Sequence, residues 1–190
     1  MIIGRHNGAM SIELIYETHS VTEDNEAGIA TGWLPGKLSA YGVETARELG
    51  ARHRDAGTTA VYTSDLARAA ETVSIAFAGT GIPVYFDARL RECCYGDLDG
   101  APAKEVEARR LQHVTEPFPG GGQSYAEIIE ATREFLAELS ARWPAGSRVV
   151  LIGHSAQRWA LPHLLDGADF AEVMMAPFTW QPGWRYTVGT

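Results

Sequence analysis

Cysteine is almost missing from this chain: the only two, Cys93 and Cys94, are adjacent. Neighbouring cysteines are badly placed for an ordinary disulfide and give no Cys-x-x-Cys ligand spacing. A disulfide framework and a zinc site are therefore not expected, and a reducing compartment fits. Basic charge is short as well. Lys and Arg number 16 against 24 Asp and Glu, a formal net charge of -8. That balance argues against nucleic acid or a membrane surface as partner, since both rely on basic patches that neutralise phosphate. A small anionic substrate stays compatible where cations converge locally. No apolar run approaches the roughly 20 residues of a membrane span, and the N-terminus lacks the basic, apolar and small-residue order of a signal peptide. The expected location is the cytoplasm. Internal repeats and low-complexity stretches are also absent.

What is present suits one domain with a full core: 190 residues, 45% hydrophobic and 21% charged. Residues 1–9 read as a flexible, polar, glycine-containing lead-in, with the catalytic domain expected over residues 10–190. Strand-like runs at Ile12 to Tyr16, Ala60 to Thr63, Val84 to Phe86 and Val149 to Ile152 alternate with helical patterns. This alternation predicts an α/β fold, a three-layer α/β/α sandwich around a mostly parallel central sheet. Val43, Ala46 and Leu49 form one helical stripe; Leu66, Ala69, Ala70, Val73 and Phe77 form another, with Asp65 as its expected cap. Ser124-Tyr-Ala-Glu127 has capping-box spacing and predicts a helix that stops near Pro144. Thr179 to Tyr186 reads as two short aromatic strands around a Pro-Gly turn, an edge hairpin that could pair with a second copy as a homodimer.

The chemistry centres on two histidines, each closing an apolar strand: His19 after Ile12-Glu-Leu-Ile-Tyr-Glu-Thr18, and His154 after Val149-Val-Leu-Ile-Gly153. Strand ends can deliver both to one pocket. Ser64-Asp-Leu-Ala-Arg68 and Leu90-Arg-Glu92 add a cation and a carboxyl group. A neutral imidazole held from its other ring nitrogen can accept a phosphoryl group, and guanidinium matches the charge spread over the transferring oxygens. Bland alternatives exist for each residue. Arg68 on an amphipathic helix is ordinarily a surface residue, Glu92 could pair with Arg89 or Arg91, and Trp33, Trp159, Trp180 and Trp184 suit packing. His53, His113 and His163 have no companion pattern and read as structural or exposed.

Beyond single residues, the chain carries an ordered set: His19, Asn25 six residues later, Thr31-Gly32-Trp33 six after that, then Pro35 to Gly42 and Thr63 to Thr72. Leu90-Arg-Glu92, Tyr95 to Gly100, Gly121 to Tyr125 and Gly153-His154 complete it. This order resembles the histidine phosphatase superfamily, the phosphoglycerate mutase-like group, from about residue 12 to about residue 165. The resemblance implies that His19 becomes transiently phosphorylated and that Arg68 and His154 hold the transferring oxygens. It also implies that Glu92 protonates the leaving alcohol and then activates water, while Asn25, Thr31 and Gly32 bind the phosphoryl or substrate group. Ser155, at the start of an expected helix, would place unpaired amides near the anion. No cofactor or metal is called for, because histidine and arginine supply the positive charge.

The pattern departs from the family at its first motif. Thr18 stands where Arg-His-Gly has arginine and Ser20 where it has glycine; both remain expected substrate-binding positions. Arg91 or Arg158 could take over the clamp. Gln123 replaces a common Glu. Arg5-His6-Asn7-Gly8 superficially matches Arg-His-Gly, yet lacks Asn and Thr-Gly at the proper intervals. The expected activity is a phosphomonoesterase acting on a small phosphorylated metabolite, favoured over a mutase because the stretch from Gly100 to Pro117 is short. Two alternatives stand beside it: a non-hydrolytic isomerase or lyase using the same pocket, and a catalytically silent anion-binding module.

Overall fold

The computed structural model describes residues 11–189. The lead-in and the Arg5-His6 pair lie outside the described residues. In chain order the elements are β1 (Ser11–Thr18), α1 (Glu23–Ala27), α2 (Ala40–His53), β2 (Ala60–Thr63), α3 (Ala67–Ala76), β3 (Val84–Phe86), α4 (Ala103–Arg109), α5 (Tyr125–Arg142), β4 (Arg148–Gly153), α6 (Ser155–Asp166), α7 (Phe170–Met175) and β5 (Trp184–Gly189). The sheet runs β3-β2-β4-β1-β5. The first four of these strands are mutually parallel and β5 lies antiparallel along β1 at the edge.

Strand periodicity explains the three layers. Ile12, Leu14 and Tyr16 of β1, with Val149 and Leu151 of β4, face one side and pack with Phe135, Leu139 and Leu161 of α5 and α6. The alternate residues Ile15, Val150 and Ile152 face the other side and pack with Leu49, Val73 and Phe77 on α2 and α3. Central strands apolar on both faces belong to a parallel sheet covered on both sides. A further cluster, with Trp159, Tyr125 and Phe118 at its centre, fills the space under α4, α5 and α7. Among the described residues no helix is long and apolar enough to cross a membrane.

Register decides what the sheet presents at its C-terminal edge. Thr18 pairs with Gly153, and the His19 amide continues the ladder to the Gly153 carbonyl at 2.9 Å. His19 and His154 therefore leave neighbouring parallel strands at the same level, the place where α/β sheets bind ligands. Gly42 lets α2 approach this edge, since a Cβ there would fall 1.8 Å from the Val21 carbonyl oxygen.

Three local expectations are corrected. Trp184–Gly189 is a single strand bonded to β1, and the residues before it form an irregular strap rather than the first arm of a hairpin. Pro182-Gly183 ends that strap; the antiparallel partner comes from the far end of the chain. Asp65 does not cap α3, whose first turn begins after Leu66 without a side-chain cap; the Asp65 carboxylate instead binds Arg91. Glu92 pairs with neither Arg89, which is held by Asp87 and Glu138, nor Arg91.

Candidate active site

The rings of His19 and His154 stand 5.0 Å apart between centroids, tilted by 51°. Both line the floor of an open cavity of about 970 Å³, together with Thr18, Ser20, Asn25 and Ser155. His19 Nδ1 lies 2.8 Å from the Ser20 carbonyl oxygen. A carbonyl can only accept, so Nδ1 carries the hydrogen and Nε2 keeps its lone pair. Burial, reinforced by the Arg68 charge and opposed by the Ser20 carbonyl, lowers the His19 pKa to about 3. The ring is therefore neutral at neutral pH, the form a nucleophile requires.

His154 is fully buried, and its Nε2 is 2.7 Å from Ser64 Oγ. Its backbone is fixed from two sides. Tyr16 Oη donates to the His154 carbonyl at 2.6 Å, and the His154 amide donates to Gln157 Oε1 at 3.1 Å. Burial first, then Arg68 and His19, push its pKa well below the ordinary histidine value. His154 Nδ1 is buried without a partner among the described residues.

Arg68 is 3% exposed and lies behind the lining of the open cavity. Its Nη2 donates to the Gly32 carbonyl at 3.0 Å, while Nη1 is buried and unpartnered. A buried guanidinium nitrogen without an acceptor costs desolvation energy, which an anion between Arg68 and the histidines would recover. Gly32 holds its carbonyl there at φ 55°, and a Cβ on it would overlap the Asp99 carboxylate. That carboxylate accepts from the Trp33 amide at 3.1 Å and the Tyr95 amide at 2.8 Å. Thr31 lies outside the cavity lining, its hydroxyl donating to Asp24 at 2.8 Å. Asn25 does reach the lining, although its Oδ1 is engaged by the Thr22 amide at 3.0 Å, as the cap of α1.

Glu92, 7% exposed, sits against the start of α6 and is likewise absent from the cavity lining. Its Oε1 accepts from the Cys93 amide at 2.9 Å and the Ala156 amide at 3.2 Å; its Oε2 accepts from the Ser155 amide at 3.1 Å. The first amides of α6 are thus already occupied by a carboxylate of the chain, where an incoming anion had been expected. Burial is the largest influence on Glu92 and raises its pKa, against the opposing pull of Arg68 and the amides. Trp33 serves this arrangement: its indole Nε1 donates to the Glu92 carbonyl at 2.7 Å.

Of the two arginines expected as substitutes for the motif residue at Thr18, one is engaged elsewhere and one lines the cavity. Arg91 is committed to Asp65 and stacks over Trp33 at 4.6 Å. Arg158 faces the cavity from α6, 4.9 Å from the Phe178 ring and 5.5 Å from Trp159. Sequence reasoning missed Ser64 as the partner of His154, and it missed α2, whose Thr45, Glu48 and Arg52 form one wall of the cavity. Ser64 was visible only as part of a motif; nothing local marks the wall. His53, His113 and His163 are structural, bound to Glu17, the Glu116 carbonyl and the Ala168 carbonyl. Gln123 binds the Cys94 amide at 3.2 Å. Among the described residues no group of three or more His, Cys, Asp or Glu converges as a metal site.

Residues 18–178 match the family model described as histidine phosphatase superfamily (branch 1). The chain belongs to that superfamily. It is 32% identical over 143 residues to a probable phosphoglycerate mutase, GpmB, of Salmonella paratyphi C, covering 72% of this chain and 66% of that protein's own length. Among solved structures it is similar to Bacillus stearothermophilus YhfR, with a TM-score of 0.77 at 24% identity, covering 90% of this chain and 88% of the other, a likeness of fold. It is also similar to a mycobacterial glucosyl-3-phosphoglycerate phosphatase, with a TM-score of 0.71 at 27% identity, covering 87% and 84%. Family and neighbours together support a phosphatase-type enzyme with a phosphoglycerate mutase-like fold.

Proposed function

We propose that this chain hydrolyses a small phosphorylated metabolite in the cytoplasm as a phosphomonoesterase, through a phosphohistidine on His19. One observation carries the reading. Two neutral imidazoles share a cavity floor, and the more exposed of them has Nδ1 anchored and Nε2 free. Phosphoryl transfer asks for alignment and charge neutralisation more than for covalent help from the protein.

In the first step His19 Nε2 attacks phosphorus, the N–P bond forms and the P–O bond to the alcohol breaks. The leaving oxygen takes a proton from Glu92. Oε2 is the oxygen that suits this, because it accepts one amide where Oε1 accepts two. Arg68, through its unpartnered Nη1, and His154 hold the non-bridging oxygens. In the second step Glu92, now ionised, takes a proton from water as the water oxygen attacks phosphorus. The N–P bond breaks, its electron pair returns to Nε2, and inorganic phosphate leaves. Thr18, Ser20, Asn25, Thr31, Gly32 and Ser155 surround or brace the phosphoryl position.

Hydrolysis is favoured over mutase transfer by the short segment 100–117. It contributes one seven-residue helix, α4, and a single further helical turn, so little chain is available to shield an intermediate from water. The test is phosphate release from a panel of sugar phosphates, nucleotides and phosphorylated acids, with the His19→Ala protein as control. Release that disappears in the variant supports the reading. Conversion without phosphate release, or binding without conversion, would overturn it in favour of an isomerase or an anion-binding module.

A further inference from the structure

Eight large hydrophobic side chains are exposed among the described residues, and four of them, Tyr41, Met175, Phe178 and Trp180, line the one cavity that holds His19. They come from α2, α7 and the strap before β5, so no single amphipathic element explains their gathering. Exposed apolar surface concentrated at one place marks a binding function. Two of the rings are also held in place. Trp180 lies under the Arg52 guanidinium at 5.8 Å and Phe178 beside that of Arg158 at 4.9 Å.

Arg52 is itself fixed. It donates to both carboxylate oxygens of Glu17 at 3.1 and 3.2 Å, and Glu17, 2% exposed, also has His53 Nε2 on its Oε1 at 2.7 Å. Glu17 sits on β1 two residues before His19. The Trp180 ring is thus tied, through Arg52 and Glu17, to the same strand that presents the nucleophile. A ring backed by an arginine that a buried carboxylate holds loses little freedom when a ligand stacks on it.

The cavity volume points the same way. About 970 Å³ is at the upper end for small-molecule sites and far exceeds what a phosphoryl group fills. We propose that Phe178 and Trp180 form a platform for an aromatic group on the leaving alcohol, so that the substrates are phosphate esters of alcohols bearing a flat ring. The proposal rests on the phosphomonoesterase reading and specifies its substrate class. Phe178 and Trp180 are specificity residues; Arg52 and Glu17 are positioning residues.

Benzyl phosphate and methyl phosphate test it, because both leave as unactivated primary alcohols and differ in the ring. The wild-type protein is expected to show kcat/KM for benzyl phosphate about tenfold or more above that for methyl phosphate. Trp180→Ala and Phe178→Ala should each lower the benzyl value several-fold, leaving the methyl value within about twofold, as expected for the loss of one aromatic contact. Equal handling of the two esters by the wild type, or an equal loss on both in the variants, overturns the platform. Calorimetric binding of benzylphosphonate against methylphosphonate reads the platform without turnover. If neither ester is hydrolysed and benzylphosphonate still binds more tightly in a Trp180-dependent way, the hydrolytic reading fails and the platform stands.

Discussion

The floor and the rim of the cavity are built from opposite materials. The polar groups at and behind the floor, His154, Arg68, Ser64 and Glu92, are nearly sealed, and each is gripped by backbone or by a neighbouring side chain, while His19 is the more exposed of the two floor histidines. The rim groups Tyr41, Met175, Phe178 and Trp180 are half exposed or more and come from elements distant in the chain. Chemistry at phosphorus needs fixed charges that do not reorganise. Recognition of a leaving group needs accessible surface. Changes to the floor should therefore affect every substrate, and changes to the rim should distinguish among them.

The largest expected effect separating the two regions is at Arg68. With Thr18 in place of the motif arginine, Arg68 supplies the guanidinium that lies behind the histidines, so Arg68→Ala should lower kcat by about a thousandfold or more on any ester. Arg68→Lys should recover little, since an ammonium cannot reproduce the fork that reaches the Gly32 carbonyl and an anion together. Steady-state kinetics on two esters of different size checks this; a loss confined to one of them would break the division between floor and rim.

Thr18→Arg sharpens the comparison from the other direction. Thr18 lines the cavity beside His19, and a guanidinium there converts a neutral donor into a charge-assisted one. Affinity for orthovanadate is expected to rise about tenfold, measured by inhibition. Unchanged affinity would mean that the floor is already saturated with positive charge.

The smallest effect is on stability. The folded value of His19, about 3, lies below its ordinary value of 6.5, so the unfolded chain takes up the proton first as the solution is acidified. The stability tied to a neutral His19 is complete above about pH 6.5 and drains away as pH falls toward about 3. His154 acts in the same direction. Thermal melting of His19→Gln between pH 7 and pH 4 should show a drop smaller by several degrees, since each pH unit below about 6.5 removes up to roughly 1.4 kcal/mol and each kcal/mol is about 2–4 °C at this chain length. An identical drop in both proteins would mean that His19 titrates alike in the folded and the unfolded chain, against the account.

The same division governs what a reader of the sequence can see. The strand runs ending at Thr63 and Phe86 and the Ser124 capping box depend on neighbours in the chain, and the structure holds them at those residues. The two histidines were legible because a strand followed by a polar residue is a local pattern and a parallel register brings such ends together. The bond from Ser64 to His154, the grip of three amides on Glu92 and the wall from α2 are tertiary, created by segments that meet only in the fold. The aromatic strap misled for the same reason. Its Pro-Gly suggested a hairpin, yet Tyr186 found its partner in Leu14 of β1, and Trp180 was left at the rim.

The account depends most on phosphorus becoming bonded to His19. Rapid quenching in base of the protein mixed with a labelled phosphate ester, followed by peptide mapping, measures this directly. The expected result is an acid-labile label on the peptide containing His19, absent from His19→Ala. Label on His154, or turnover that persists in His19→Ala with no labelled intermediate, would contradict it.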